Sequence, residues 1–270
     1  MIYYVNGKYV DASKATISIS DSGFLYGDGL FETMRFDNRE IFSSHKHIRR
    51  LQKGLEIVNL KINYNQNALL NLLNTVIEKN NLKSGIIRLM ITRGDTNNIS
   101  ESPSIIIIIK PFYDVPQNSV KVLYLEEAKF PIIRFTPAIK SMNYIGNMLA
   151  KNFADLKGAY EPVFYNKNKI ITECAIRNIF YIKEKQVLTP SLDLGILSGV
   201  MRETIIEVVQ SMGLDLKESH IPYNNINTME EAFITSTGIG LLPCYWEGWN
   251  SKFHITKSIK KELFKRINNS

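Results

Sequence analysis

The chain of 270 residues is long enough to bury one large hydrophobic core or two of ordinary size. Its hydrophobic content of 44% and charged content of 22% are typical of folded globular proteins and exclude the disordered, collagenous and disulfide-scaffold classes. The 33 Lys and Arg against 26 Asp and Glu give a net charge of +7, which is spread along the chain and does not indicate nucleic acid as a partner.

The cysteines and the apolar runs indicate where the protein works. Cys174 and Cys244 form neither a zinc spacing nor a redox pair, and the four histidines have no metal spacing, so we assign no metal and favour a reducing compartment. Residues 1–10 lack a basic stretch followed by an apolar one, and the run 105–109 is too short to span a bilayer. We therefore expect a cytoplasmic protein without a membrane partner.

The first part of the chain predicts a compact α+β module. Strands at 2–5 and 9–10 are joined by Asn6-Gly7, which readily adopts positive φ, so we expect an opening hairpin. A third strand is predicted at 30–36, with its turn at Asp37-Asn38. The periodicity then predicts helices over 45–58 and 69–77 and strands over 86–92 and 104–110.

A proline-containing segment separates this module from the rest. Residues 111–118 carry two prolines, an aspartate and an asparagine between apolar runs, which is typical of an interdomain connection. We predict domains over 1–112 and 119–270 with a linker at 113–118. The second domain is expected to contain strands near 120–125 and 232–235, hairpin-like pairs of strands at 162–172 and 179–188, and helices near 143–156 and 200–212. Its strands lack the regular helical spacers of a doubly wound sheet.

Three charged residues stand in settings where chemistry could occur. Lys140 borders an apolar stretch, where lost hydration would lower the pKa of the amine and let it attack a carbonyl carbon; a solvated lysine is the alternative. Glu173 lies among small and apolar residues, and such a carboxylate caps amides, meets a buried cation or faces water. Arg50, on the helix 45–58, suits a phosphate dianion or simply lies along the surface.

Two glycine-containing segments could bind an anion. Residues 197–203 join a loop containing Gly199 to a helix that begins at Val200, where the first N–H groups have no intrahelical partner. Thr237-Gly238 follows a strand and offers either a hydroxyl and amide pair or an ordinary polar turn. The sequence has no Walker loop, dinucleotide fingerprint or Gly-x-Ser-x-Gly elbow.

Taken in order, these residues resemble the class IV pyridoxal-phosphate enzymes, the fold-type IV group that contains branched-chain aminotransferases, D-amino-acid aminotransferases and aminodeoxychorismate lyases. The likeness extends over nearly the whole chain. It rests on residues 26–32, 47–51, 140–144, 172–173 with 178–180, 199–202 and 237–243. The resemblance implies a small N-terminal α/β domain on a larger barrel-like C-terminal domain, with the cofactor between them and a homodimer completing the site.

The resemblance also implies pyridoxal 5'-phosphate as the cofactor and assigns the site residues. Lys140 would bind the cofactor aldehyde and later move the substrate proton, and Glu173 would keep the pyridine nitrogen protonated. Further cofactor contacts are implied for Arg50, Tyr144, Leu197, Gly199, Val200, Met201, Thr237 and Gly238. Among these, Arg50, the Val200 and Met201 amides and Thr237 would share the phosphate. The candidates for substrate binding are Phe31, Arg35 and Arg88.

The branch within the family is judged from local differences. The D-amino-acid enzymes carry an arginine and a histidine two apart in a loop that here reads 95–100 with neither, which disfavours that branch. The branched-chain enzymes typically have the motif tyrosine, any residue, arginine, proline at the position of residues 86–89, and this chain shares only its arginine, Arg88. The lyases resemble this sequence in their short chain and in the motifs at 172–174 and 199–202. Against this, Glu32 is a feature of transaminases, and the glycine- and arginine-rich substrate loop of the lyases is absent.

We therefore expect an aminodeoxychorismate lyase, which converts 4-amino-4-deoxychorismate to 4-aminobenzoate and pyruvate. The alternative is an aminotransferase of branched-chain or related amino acids. A third interpretation, from a different class, is a non-catalytic basic protein that binds an anionic partner.

Overall fold

The computed structural model describes residues 1–97 and 103–268, without the side chain of residue 268. Two compact units are present: Met1–Asp114 with Ile139–Asn143, and Val115–Ala138 with the chain from Tyr144 onward. The short segment that contains Lys140 therefore belongs to the first unit. The domain limits inferred from the sequence stay a prediction. Of the loop 95–100, residues 98–100 lie outside the described residues.

The first unit is built on a six-stranded antiparallel sheet. Its strands are β1 Ile2–Val5, β2 Lys8–Asp11, β3 Gly29–Asp37, β4 Glu40–Ile41, β5 Gly85–Thr92 and β6 Ile105–Lys110. They lie in the order β2-β1-β6-β5-β3-β4. Asn6 and Gly7 have φ of 45° and 86°, so the opening hairpin is confirmed. The helices are α1 Ser22–Tyr26, α2 Ser44–Ile57 and α3 Gln66–Asn80, of which α1 was not predicted.

One face of this sheet forms the core of the first unit. Along β3 the burial alternates, because successive side chains of a strand point to opposite faces. Leu30, Glu32, Met34 and Phe36 are buried, and the residues at the alternate positions are only partly buried. The two longer helices bury one stripe each, which includes Ile48, Leu51 and Leu55 on α2 and Leu69, Leu73 and Val76 on α3. The opposite face of the sheet carries Phe31, Thr33 and Arg35.

The second unit is built on an eight-stranded mixed sheet. Its strands are β7 Val120–Glu126, β8 Glu161–Tyr165, β9 Ile171–Cys174, β10 Asn178–Lys183, β11 Gln186–Pro190, β12 Leu216–Ser219, β13 Glu231–Ser236 and β14 Gly240–Tyr245. The order is β12-β11-β10-β13-β14-β7-β8-β9. Three neighbouring pairs are parallel, namely β11 with β12, β14 with β7, and β7 with β8. The helices are α4 Ile145–Leu156, α5 Val200–Ser211 and α6 His254–Asn268.

The predicted elements of this unit are present, whereas β12, β14 and α6 were not predicted. Pro243 explains the omission of β14, because a proline inside a run argues against a central strand. In the structure Pro243 faces Phe233 of β13, and the pairing of β14 with β7 begins only at Cys244, so the missing N–H is not needed there. Among the helices of the described residues, none combines the length and the apolar character needed to cross a bilayer.

Helix α4 begins five residues after Lys140 and depends on a glycine. A Cβ added at Gly146 would lie 2.3 Å from the Pro131 oxygen and 2.5 Å from its carbonyl carbon, both in the backbone. Alanine normally favours a helix over glycine by about 1 kcal/mol. Here the backbone of Pro131 leaves no room for the methyl group.

We expect Gly146→Ala to reduce the free energy of unfolding by about 1–3 kcal/mol, because the clash outweighs the gain in helix propensity. Urea unfolding followed by circular dichroism measures the change. Asn152→Ala, at an exposed position of the same helix, is the control and should stay within about 0.5 kcal/mol of the parent. A Gly146→Ala protein as stable as the parent contradicts the close approach.

Candidate active site

Lys140 is held beside β3 by its own backbone. The Phe31 amide donates to the Lys140 carbonyl at 3.0 Å, and the Met142 amide donates to the Gly29 carbonyl at 2.9 Å. These two bonds pair Ser141 with Leu30 in an antiparallel bridge. Gly29 permits this approach, since a Cβ there would lie 2.8 Å from the Ile91 oxygen and 2.9 Å from the Met142 sulfur. The lysine is thus fixed at the edge of a strand and not on a mobile surface loop.

The Phe31 ring contacts two cations. The Lys140 Nζ atom lies 4.4 Å from the ring centroid, and the Arg88 Cζ atom lies 5.1 Å from the same centroid. Arg88 also donates from Nε to the Thr33 hydroxyl at 3.2 Å, and these two residues are direct partners in the β3–β5 register. An amine and a guanidinium therefore flank one aromatic ring on the face of the sheet that points away from α2 and α3.

Arg35 lies on the same face, one diagonal step from Arg88 in the register. Its Cζ atom is 5.0 Å from the centroid of the Phe112 ring, and burial lowers the pKa of the guanidinium. The Nε atom is buried and has no hydrogen-bond partner among the described residues. The three candidate substrate residues, Phe31, Arg35 and Arg88, are thus brought together with Lys140 on one surface.

On the other face of β3, Glu32 holds Arg50. Arg50 donates from Nε to Glu32 Oε1 at 2.8 Å and from Nη2 to Oε2 at 2.7 Å, and the His47 Nδ1 atom lies 2.7 Å from Oε2. The Glu32 and His47 side chains are fully buried, whereas Arg50 keeps 17% of its side chain exposed. The guanidinium is therefore oriented from within the protein and still reaches the surface.

The charges of this group can be assigned from their surroundings. Burial alone would raise the pKa of Glu32, but Arg50 and His47 outweigh it and bring the pKa to about 2, so the carboxylate is ionised. Burial lowers the pKa of His47, which is therefore neutral at pH 7 and donates its Nδ1 proton to Glu32. His47 and Glu32 were not predicted as partners of Arg50. The spacing of three between His47 and Arg50 on one helix is the signal that could have found the pair.

In the second unit, Glu173 lies on β9 and has two kinds of donor. Arg134 donates from Nη1 to Glu173 Oε1, and the Leu197 amide donates to Oε2 at 3.2 Å. Arg134 also pairs with Glu127, and although burial opposes it, the two carboxylates together raise the pKa of Arg134. The sequence left open whether Glu173 caps amides, meets a buried cation or faces water, and in the structure it has both a cation and a backbone amide as partners. Arg134 and Glu127 were not predicted.

The loop before α5, where the sequence predicts an anion site, depends on a glycine. Gly199 is the N-cap, and a Cβ there would lie 2.1 Å from the Asn178 side-chain oxygen, so only glycine fits. Asn178 also donates from Nδ2 to the Leu197 carbonyl at 3.0 Å, which fixes the loop. The first N–H groups of α5, at Val200 and Met201, belong to the turn in which amides have no intrahelical acceptor.

The remaining predicted residues lie at turns of the second unit. Thr237 and Gly238 occupy the turn between β13 and β14, and Tyr144 immediately precedes α4; all three are partly buried. The candidate residues thus form two groups. The first unit contains Phe31, Arg35, Arg50, Arg88 and Lys140, and the second contains Tyr144, Glu173, Leu197, Gly199, Val200, Met201, Thr237 and Gly238. Their individual contacts with a cofactor stay predictions.

The family model for amino-transferase class IV matches residues 29–245, which include every candidate residue named above. The chain belongs to this family. Among curated relatives, it is 32% identical over 253 residues to the aminodeoxychorismate lyase of Bacillus subtilis, covering 89% of this chain and 84% of that protein. It is 29% identical over 252 residues to a putative branched-chain-amino-acid aminotransferase of Methanocaldococcus jannaschii, covering 91% and 87%.

A third relative is the D-alanine aminotransferase of Listeria monocytogenes, 32% identical over 248 residues, covering 88% of this chain and 85% of that protein. Among solved structures, the branched-chain aminotransferase of Thermoproteus uzoniensis with norvaline has a TM-score of 0.89 at 23% identity, covering 100% of this chain and 95% of that chain. The fold-type IV prediction is thereby confirmed. The sequence identities to the lyase and to the two kinds of aminotransferase are too similar to choose between these activities.

Class IV aminotransferases use pyridoxal phosphate, so the cofactor and the enzyme class predicted from the sequence are confirmed. The side chains of this protein fit such a group chemically. Lys140 supplies an amine, Arg50 a guanidinium with an exposed edge, and the start of α5 a set of amides without intrahelical acceptors at a position where a Cβ has no room.

The Glu32 pKa generates a prediction about stability. Since its pKa in the folded protein is about 2 and its ordinary value is 4.5, the stabilising contribution is complete above pH 4.5 and is lost as the pH falls toward 2. We expect Glu32→Gln to reduce the free energy of unfolding by about 3 kcal/mol at pH 5.5, and the difference from the parent to shrink by about 1.4 kcal/mol at pH 3.5.

Urea unfolding of both proteins without cofactor at the two pH values measures this difference. Glu40→Gln, which removes an exposed carboxylate on β4, is the control and should differ from the parent by less than about 0.5 kcal/mol at both values. A Glu32→Gln difference that is the same at pH 5.5 and pH 3.5 contradicts the assignment of an ionised, ion-paired Glu32.

Proposed function

We propose that this class IV enzyme is an aminodeoxychorismate lyase. The observation that supports it is the pair of guanidiniums, Arg35 and Arg88, on the same face of the sheet as the Lys140 amine. Aminodeoxychorismate carries two carboxylates and one amine on a small ring, so two cations near one amine match its charges. A branched-chain amino acid has a single carboxylate and an apolar side chain, for which a second arginine offers no partner.

In the proposed reaction each side chain has one task. Bound pyridoxal phosphate supplies an aldehyde for the substrate amine and a ring that accepts electrons. Arg50, Thr237 and the amides at the start of α5 would bind the phosphate, and Glu173 would keep the pyridine nitrogen protonated. Lys140 would act as the base that removes the hydrogen from the ring carbon bearing the amine. The C–O bond to the enolpyruvyl group would then break as the ring becomes aromatic, and the proton would pass to the departing enolpyruvate to give pyruvate.

The alternative is an aminotransferase of branched-chain or related amino acids, in which Lys140 moves the proton from Cα of the substrate and a 2-oxo acid is released. Glu32 favours this alternative, because the lyases differ at this position. In this protein Glu32 accepts two hydrogen bonds from the Arg50 guanidinium and so orients it. Transamination of glutamate, which has two carboxylates, would also use both arginines.

The holoenzyme should release 4-aminobenzoate and pyruvate from aminodeoxychorismate. The same preparation is then assayed for transfer from leucine, valine, glutamate and D-alanine to a 2-oxo acid. Fast transfer from any of these amino acids without lyase activity rejects the lyase proposal and identifies the aminotransferase. The non-catalytic interpretation is wrong, because the chain belongs to a family of enzymes that use pyridoxal phosphate.

We expect Lys140→Ala to abolish the visible absorbance that borohydride removes from the parent, and to lower the rate by at least about 100-fold, the usual contribution of a positioned base. Absorbance spectra and initial rates measure both effects. Lys167→Ala removes an exposed lysine and is the control, with spectrum and rate unchanged. A Lys140→Ala protein that keeps the visible absorbance and the full rate of the parent contradicts the proposed role of Lys140.

We also propose a homodimer, supported by a stripe of exposed apolar side chains on α4. The α4 stripe consists of Ile145, Met148, Leu149, Phe153 and Leu156, each exposed by 40 to 85%. The opposite side of the helix, with Gly146, Ala150 and Ala154, is buried. Monomeric proteins rarely leave such a contiguous apolar surface in water, and a single helix stripe can pair with its own copy across a two-fold axis.

We expect Leu149→Glu to convert the dimer to a monomer, because a two-fold interface would bring two new carboxylates together. Light scattering coupled to size-exclusion chromatography reports the mass. Leu192→Glu, at a leucine of 39% exposure outside the α4 stripe, is the control and should remain dimeric. A monomeric parent, or a dimeric Leu149→Glu protein, contradicts the proposed interface.

A further inference from the structure

Arg134 is shared between two carboxylates. Toward Glu127 it presents two nitrogens, with Nε 3.1 Å from Oε1 and Nη2 bonded to the same oxygen. Toward Glu173 it presents Nη1 alone. All three side chains are largely buried, with 13 to 21% of each exposed. The guanidinium is therefore anchored on Glu127 and touches Glu173 with one remaining donor.

Thr172 holds this arrangement in place. Its hydroxyl donates to Glu127 Oε1 at 2.5 Å and lies 3.2 Å from Arg134 Nη2, which also donates toward it. Thr172 precedes Glu173 on β9, whereas Glu127 begins the short helical turn that follows β7. Because one oxygen of Glu127 accepts from both Arg134 and Thr172, the guanidinium cannot turn its two-nitrogen edge toward Glu173 without losing these bonds.

The charge of the cluster depends on Glu127. One guanidinium beside one carboxylate sums to zero, so Arg134 and Glu173 alone would offer little net negative charge to a neighbouring cationic nitrogen. With Glu127 included, two carboxylates share one guanidinium and the cluster carries one net negative charge. At separations of several ångströms in a partly buried site such a charge strongly favours a nearby protonated group.

We propose that Glu127 is a positioning residue of the cofactor site, which holds Arg134 and thereby leaves Glu173 with the net negative charge that stabilises a protonated pyridine nitrogen. This inference rests on the proposed role of Glu173 toward that nitrogen. Glu127 acts only through Arg134 and Thr172.

The test uses holoenzyme reconstituted with pyridoxal phosphate carrying ¹⁵N in the ring, because the ¹⁵N chemical shift reports protonation of that nitrogen directly and without turnover. In the parent the ring nitrogen should be protonated across the range in which the protein is stable. Glu127→Gln keeps an oxygen acceptor for Thr172 and removes only the charge. We expect it to lower the pKa of the ring nitrogen by at least about one unit.

Three further variants locate the cause. Glu127→Asp restores the charge and should recover at least part of the parent shift. Glu126→Gln removes the adjacent carboxylate, whose Oε2 atom lies 3.6 Å from Lys169 Nζ, and should match the parent. Glu173→Gln should lose ring protonation. Thermal melting of each variant confirms that it is folded.

The outcomes separate the inference from the proposed function. If Glu173→Gln leaves the ring nitrogen protonated, the proposed role of Glu173 is wrong, and the inference falls with it. If Glu173→Gln deprotonates the ring but Glu127→Gln matches the parent, only the inference is overturned. If Glu126→Gln has the same effect as Glu127→Gln, the effect is one of total charge and the positioning role is rejected.

Discussion

The backbone pairing of residues 139–143 with β3 is the interaction on which the first group of site residues depends. Two amide-to-carbonyl hydrogen bonds, which flank the facing residues Leu30 and Ser141, place the lysine beside Phe31. Because neighbours on a strand point to opposite faces, Phe31 lies toward Lys140 and Arg88, while Glu32 lies toward α2 and holds Arg50. One strand therefore positions an amine on one face and a guanidinium on the other.

Each of the two charges proposed to meet the cofactor already has a counter-charge in its own unit. Arg50 is paired with Glu32, and Glu173 is paired with Arg134. Removing charged groups from water is costly, and a partner with good geometry offsets that cost before any ligand arrives. The same partners fix the side chains, so a ligand need not order them on binding. Preorganisation here comes from residues that are not themselves proposed to touch the ligand.

The sequence predicts the three central charges through their order along the chain, in which they resemble a known family, because each has an ordinary alternative when taken alone. Lys140 borders an apolar stretch, Glu173 lies among small residues, and Arg50 follows from the helical period of α2. Their partners were missed because the pairs join residues far apart in the chain, such as Glu173 and Arg134, and only tertiary packing brings them together. β14 was missed for a local reason, the proline at 243, which is tolerated because β7 pairs with β14 only beyond it.

The layout of β3 also explains how one fold can support several activities. The buried positions, such as Glu32 and Met34, are constrained by the core and by the fork to Arg50. The alternate positions, such as Phe31 and Arg35, lie on the outer face of the sheet and are only partly buried. Exchanging those side chains alters the charge and shape offered beside Lys140 without disturbing the core, since the two sets project in opposite directions. The proposed substrate residues on the outer face of β3 and β5 can therefore differ without a change in the buried face of the sheet or in the residues that hold Arg50.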